Sequence, residues 1–181
     1  MKYRIKIISL VLLVAWGFSS FGLPKYLEKK VGKEIERVFG SENIELKTIS
    51  LPKDALKQLP ASFNEDNFFK LKQGNAALGY IYVGNAPSKT ATFDYLVVFD
   101  ADLKVIHSKV LVYREEYGGE IGSKRWLRQF NGKSSADRVD HTTNIDGISG
   151  ATISVRSMTT AMDNLFQSLA ILQKKNLLNE L

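Results

Sequence analysis

The 181-residue chain has no cysteine and only two histidines, His107 and His141. Without cysteine there can be no disulfide bonds, thiolate-held iron–sulfur clusters, covalently attached c-type haem or lipid-modified N-terminal cysteine. Two histidines are too few for a typical histidine-based metal site, so we predict no metal site. If the protein handles electrons, we expect its carrier to be an organic group.

The chain also lacks a concentrated block of one charge. Its net charge is +6, but the 25 lysines and arginines are scattered, and neither an Arg-rich arm nor a nucleic-acid-binding motif is present. We therefore predict a solvated basic surface and no nucleic-acid partner. No Ser-His-Asp or Cys-His arrangement can be argued from the sequence, so no catalytic residue is predicted. An apolar fraction of 44% is enough for a core.

The N-terminus has the pattern of a targeting segment. Lys2, Arg4 and Lys6 precede an uncharged apolar run from Ile7 to Leu23. This pattern predicts either a cleaved signal peptide or a short uncleaved membrane anchor, and we favour the anchor. Either interpretation leaves the basic end in the cytoplasm and the rest of the chain outside. The predicted location is the cell membrane, with secretion to the periplasm as the alternative.

Three segments organise the chain. Residues 1–24 are the predicted signal peptide or anchor, residues 25–65 an N-terminal helical segment, and residues 66–181 the main domain. There is no internal repeat and no sign of a second domain. One domain of this size can bury its own core.

The central part of the chain has the apolar patterning of β-strands. Strands are predicted over residues 44–49, 68–71, 78–83, 93–99 and 103–113. Apolar residues at helical spacing, with proline and glycine at the boundaries, predict helices over residues 25–40, over 52–59 and after 152. The predicted fold class is α+β, with an antiparallel sheet packed against helices that cover one of its sides.

The stretch from Asp146 to Thr152, Asp-Gly-Ile-Ser-Gly-Ala-Thr, joins a loop to the long predicted helix. Gly147 and Gly150 permit a tight turn. Thr152 stands in the first helical turn, where unpaired backbone N–H groups and the helix dipole favour an anion such as a phosphate on its hydroxyl. The alternative interpretation is that Ser149 or Thr152 only caps the helix.

This stretch resembles the flavin-attachment motif of the FMN-binding domain family. The family includes flavin-carrying components of the sodium-translocating NADH:quinone reductase and of the related Rnf electron-transport complex. The matching residues are Asp146, Ser149, Gly150, Ala151 and Thr152. In the family the last threonine carries FMN through a phosphoester bond, which a separate FAD-dependent FMN transferase installs. The resemblance therefore implies FMN attached covalently to Thr152.

A second part of the resemblance is the Gly-rich loop after the last predicted strand. Glu116, Gly119 and Gly122 match the family's flavin-facing loop, although the family's proline is absent and one residue is inserted. For Trp126, both a flavin contact and a core position remain open. For Arg156, both an approach to the phosphate and a solvated side chain remain open.

The resemblance implies an extracytoplasmic electron-transfer flavoprotein. It would be an electron carrier or part of a redox complex rather than a stand-alone enzyme, with the FMN transferase, the membrane and redox proteins as partners. One alternative is a secreted or membrane-anchored binding module without a covalent flavin. Another keeps the family fold but holds FMN non-covalently or only transiently.

Overall fold

A computed structural model of the protein describes residues 22–178. The basic residues and nearly all of the apolar run of the predicted targeting segment lie outside the described residues. No helix between residues 22 and 178 is both long enough and apolar enough to cross a membrane.

The described chain consists of five strands with helices before and after them. The strands are β1 (Glu45–Thr48), β2 (Phe68–Gln73), β3 (Ala76–Pro87), β4 (Thr92–Phe99) and β5 (Val105–Tyr113). The helices are α1 (Lys25–Phe39), α2 (Lys53–Leu56), α3 (Lys124–Leu127) and α4 (Thr152–Lys174), with 3-10 turns at Gly119–Gly122 and Arg128–Phe130. This architecture confirms the predicted α+β class.

The strands form one antiparallel sheet in the order β1-β2-β3-β4-β5, so each strand pairs with its neighbour in sequence. This is the meander that the alternating pattern predicts. The turn between β2 and β3 uses Gly74 at φ 58°, a conformation that glycine adopts without penalty. Gly40 ends α1 at φ 67°, and its N–H donates to the Glu36 carbonyl at 2.8 Å, as expected for a glycine after a helix.

Helices cover both faces of the sheet, so the prediction of one covered side is wrong. The buried stripe of α1 packs on one face, against side chains of β2, β3 and β4. The smaller core that they form contains Leu27, Val31, Ile35, Phe69, Leu71, Ile81, Leu96 and Val98. Strand β4 is consequently buried at every position from Phe93 to Phe99. The sequence shows that α1 has an apolar stripe but not which face of the sheet it covers.

The long helix α4 packs on the opposite face with the apolar stripe that its sequence predicts. Its buried side chains include Val155, Met158, Met162, Leu165, Leu169 and Leu172. They join the larger core, together with aromatic residues of the strands and of the segment between β5 and α4. Because this stripe fixes the helix on the sheet, it also fixes the position of the first turn of α4.

The ends of two elements, α2 and β3, differ most from their predictions. The brief helix α2 ends at Leu56 rather than at residue 59. Strand β3 continues to Pro87 rather than stopping at Val83. Position 84 inside β3 is a glycine because the Tyr95 ring fills the space that a side chain would need: a Cβ added at Gly84 would stand 2.3 Å from Tyr95 Cζ. In the sequence this glycine indicates the end of a strand.

Candidate functional site

The predicted attachment motif is the turn that leads into α4. Thr152 is the first residue of the helix, and Ala151 precedes it with its carbonyl accepting from the Val155 N–H at 2.9 Å. Gly150 has φ 83°, which favours glycine at this position. Among the described residues, no side chain caps α4. Thr152 and Ser149 are both exposed, and neither hydroxyl caps the start of the helix.

The segment between β5 and α4 holds the head of this turn. Trp126 Nε1 donates to the Asp146 carbonyl at 2.7 Å, and the Asp146 N–H donates to Gln129 Oε1 at 2.8 Å. The Trp126 residue is 4% exposed, and its ring meets Phe130 edge to face at 5.4 Å. Trp126 therefore occupies a core position and holds the turn from its buried side. The Asp146 backbone carries these contacts, while the residue as a whole is exposed.

The Gly-rich loop meets the motif through Tyr113, at the end of β5, and Gly118. Tyr113 Oη donates to the Tyr117 carbonyl at 3.1 Å and lies 2.9 Å from Ser154 Oγ. Because the phenol has one proton, the buried Ser154 hydroxyl is the donor in the second bond. Gly118 has φ 86°, and a Cβ there would lie 2.7 Å from Tyr113 Oη and 3.6 Å from Ala151 Cβ. The loop backbone thus packs directly on the motif.

The three loop residues singled out in the sequence have different environments. Gly119 lies near Tyr113, since an added Cβ would stand 3.9 Å from its Cδ1. Gly122 lies against Val110 instead, with an added Cβ 3.6 Å from Val110 Cβ. Glu116 is exposed. The structure therefore places Gly119 beside the residue that binds Ser154, and Gly122 farther back along β5.

Glu115, which sequence reasoning missed, ties the loop to the turn between β3 and β4. Its Oε1 accepts from the Ser88 hydroxyl, from the Thr90 N–H at 2.8 Å and from the Ala91 N–H at 3.1 Å. The Ser88 hydrogen bond, followed by that from the Thr90 N–H, lowers the pKa of Glu115. No local motif signals this role, because the three donors lie 24 to 27 residues earlier in the chain.

Two clefts of about 420 Å³ each flank the first turn of α4, and Thr152 borders both. The first, which we call the histidine cleft, is lined by His141, Thr142, Gly147, Ile148, Ser149, Thr152, Val155 and Arg156. The second, which we call the tyrosine cleft, is lined by Lys89, Tyr113, Glu115, Tyr117, Gly150, Ala151, Thr152, Ile153 and Ser154. Arg156 thus shares a cleft with Thr152, and its side chain is exposed.

A cavity of about 620 Å³, larger than either cleft, lies elsewhere. It is bordered by the start of α1, by strands β3 and β4, and by Ala161 and Asn164 of α4. Ala161 is nine residues beyond Thr152, which corresponds to about 13 Å along the helix. No residue from Asp146 to Thr152 borders this cavity. Volume alone therefore does not identify the site; the exposed hydroxyl and the chemistry of the turn do.

No group of three or more His, Cys, Asp or Glu side chains in residues 22–178 is arranged to hold a metal ion. The titratable residues around Thr152 are instead dispersed between the two clefts. Glu115 and Lys89 border the tyrosine cleft, while His141 and Arg156 border the histidine cleft.

Fold and site together define an α+β domain that presents an exposed hydroxyl at an uncapped helix start, between two clefts. Residues 90–167 match the family model described as the FMN-binding domain. The match begins just before β4 and ends within α4, so it includes the Gly-rich loop and the whole motif. This match confirms the resemblance over residues 90–167 and supports FMN as the cofactor. No curated protein matches the chain.

Proposed function

We propose that the protein is an extracytoplasmic electron-transfer flavoprotein that carries FMN through a phosphoester bond to Thr152. The observation that carries this proposal is the state of Thr152: it is exposed at the first turn of α4, and no side chain in the described part of the chain caps that helix. A hydroxyl placed there is accessible to a modifying enzyme. The first-turn N–H groups and the helix dipole favour the negative charge that a phosphoester retains.

Attachment requires the FAD-dependent FMN transferase as partner. The Thr152 oxygen forms a bond to the phosphorus on the flavin side of the FAD pyrophosphate. The bond from that phosphorus to the bridging oxygen breaks, AMP leaves with the bridging oxygen, and the hydroxyl proton is lost to solvent or base. The product is a phosphodiester between Thr152 and the flavin chain, with one negative charge beside the start of α4.

The residues of this chain would position the cofactor rather than react. Trp126 and Gln129 hold Asp146 at the head of the turn. The hydrogen bond between Tyr113 and Ser154 holds the helix start against the end of β5. The flavin supplies the redox chemistry when bound, and the protein supplies placement and electrostatics.

The N-terminal basic residues and apolar run support a location outside the cytoplasm, with the membrane and redox proteins as partners. Covalent attachment suits that location because a dissociable cofactor would be lost by dilution. A bond to Thr152 makes occupancy independent of the free FMN concentration. The same argument favours a carrier that stays loaded over many cycles of electron transfer.

The proposal is tested by producing the full-length chain with and without an active FMN transferase and FAD, followed by denaturation and intact mass measurement. We expect one FMN adduct per chain only with the transferase, and peptide mapping should place it on Thr152. Flavin that is removed by denaturation would favour the non-covalent alternative. A chain that gains no flavin with an active transferase would favour the binding module.

A further inference from the structure

Four large apolar side chains are strongly exposed among residues 22–178: Tyr26 at 53%, Ile106 at 36%, Tyr117 at 82% and Ile153 at 47%. Two of them, Tyr117 and Ile153, border the tyrosine cleft. Exposed apolar residues that converge on one concave surface indicate a ligand or partner, whereas scattered ones need no explanation. Ile153 is also the residue directly after Thr152.

Tyr117 is exposed although its backbone is fixed. Its carbonyl accepts from Tyr113 Oη, and the next residue is the buried Gly118, which packs against Tyr113 and Ala151. The loop therefore holds the Tyr117 backbone at the cleft while most of its side chain remains accessible. A tyrosine presents a large, stiff apolar face with few rotatable bonds, so ordering it against a ligand costs little entropy.

The walls of the tyrosine cleft are linked. Glu115 belongs to the segment that carries Tyr117, and it accepts from the turn that carries Lys89. The three hydrogen bonds to Glu115, which itself lines the cleft, thus join the two walls.

We propose that the tyrosine cleft takes the isoalloxazine ring of the flavin attached to Thr152, with Tyr117 stacked on the ring and Ile153 as a second apolar contact. This inference rests on the proposed function, because it requires the flavin at Thr152. The histidine cleft borders the same hydroxyl, but neither Tyr117 nor Ile153 lines it. Its titratable rim residues, His141 and Arg156, border the side of the first turn away from the ring.

The test uses flavin fluorescence and its quenching by iodide in FMN-loaded full-length protein, with loading measured separately by mass. A stacked tyrosine or tryptophan quenches flavin fluorescence by electron transfer, whereas phenylalanine only shields the ring. We expect Tyr117→Ala to raise the fluorescence several-fold and to increase iodide access. Tyr117→Trp should retain both low fluorescence and shielding, and Tyr117→Phe should retain shielding while losing quenching.

Matched controls separate the two clefts. Ile153→Ala should increase iodide access, whereas Ile106→Ala, which removes an exposed isoleucine from β5, should leave it unchanged. If Tyr117→Ala is poorly loaded, the Trp and Phe variants give the same comparison between quenching and shielding.

Two results would overturn the inference while leaving covalent attachment intact. One is loaded Tyr117→Ala and Tyr117→Phe with unchanged fluorescence and unchanged iodide access. The other is greater iodide access in His141→Ala or Arg156→Ala but not in the Tyr117 variants, which would place the ring in the histidine cleft. Absence of any adduct on the wild-type chain would instead remove the proposed function, and this inference with it.

Discussion

The two faces of the sheet are covered by helices that are held in different ways. Helix α4 contacts the sheet with a stripe of buried apolar side chains. Most of its side-chain hydrogen bonds and ion pairs are made with loops, as in the bidentate pair between Arg138 and Asp163. Helix α1 adds polar ties to the sheet itself: Lys30 Nζ donates to the Leu111 carbonyl at 2.8 Å, and Glu34 Oε2 lies 3.0 Å from His107 Nε2.

The difference corresponds to two roles: α4 supports the candidate site, and α1 connects the sheet to the predicted targeting segment. The face under α4 carries the candidate site, whose atoms must stay in place for the proposed attachment of FMN. The face under α1 receives the helix that leads from the predicted targeting segment. Apolar packing gives α4 a rigid start, whereas hydrogen-bonded charges give α1 a defined position that depends on a few side chains.

The largest expected effect concerns the hydroxyl at the start of α4. Thr152→Val removes the only oxygen that could form the phosphoester at this position, so we expect complete loss of the covalent adduct by intact mass. The fold should persist, because no side chain of the described residues caps α4 in the native protein. Thr160→Val, at an exposed threonine of the same helix, is the control and should load normally. An adduct on Ser149 or Ser154 in the valine variant would contradict the assignment.

The second prediction compares the two cores by the same substitution. Leu165→Ala should cost about 3–5 kcal/mol in the free energy of unfolding, because this fully buried side chain lies in the middle of α4 and its cavity cannot collapse. Leu27→Ala, in the first turn of α1, should cost about 2 kcal/mol because the helix end can relax. Urea unfolding of the full-length chain measures both. Equal costs would show that the two helices are held with equal rigidity.

The third prediction concerns the polar ties of α1. Glu34 is buried and contacts both His107 and Arg37, so Glu34→Ala should cost about 1–3 kcal/mol and speed amide hydrogen exchange in α1. Exchange in α4 should be unaffected. Glu36→Ala, at an exposed position of α1, is the control. Faster exchange in both helices after Glu34→Ala would mean that the two faces open together.

The smallest expected effect is a pH dependence at the tyrosine cleft. Because hydrogen bonds from Ser88 and the Thr90 N–H lower the folded-state pKa of Glu115, its ionised form stabilises the fold at neutral pH. That contribution is lost as the pH falls from the usual glutamate range through the lowered folded value. The gap in urea midpoint between wild type and Glu115→Gln should therefore close on acidification, while Glu116→Gln should match wild type throughout. A gap that stays constant with pH would assign the effect to shape rather than charge.

The sequence predicts what depends on local spacing. The stripe of α4, the glycine after α1 and the strands on either side of residues 100–102 follow from period and turn residues, and the structure confirms them. The position of Thr152 at the helix start follows from the same local rules. The motif residues Asp146 to Thr152 are consequently found where the pattern predicts them.

What the sequence does not predict depends on contacts between distant residues. The face chosen by α1 follows from its packing on β2 to β4, and the extension of β3 through Gly84 follows from the ring of Tyr95. The hydrogen bonds of Trp126 and Gln129 to the Asp146 backbone, across 17 to 20 residues, also cannot be predicted from the sequence. Glu116 drew attention because it matches a family pattern, yet Glu115 makes the contacts that link the cleft walls.

The meander order of the sheet also has a consequence for biosynthesis. Each strand pairs with the one made just before it, and the connections from β2 to β5 are short, so pairing can proceed as the chain emerges from N- to C-terminus. Thr152 follows all five strands and opens the last helix. The Thr152 hydroxyl, the proposed acceptor, is thus among the last parts of the domain to appear, and the proposed transferase would meet it on a chain whose strands have all been synthesised.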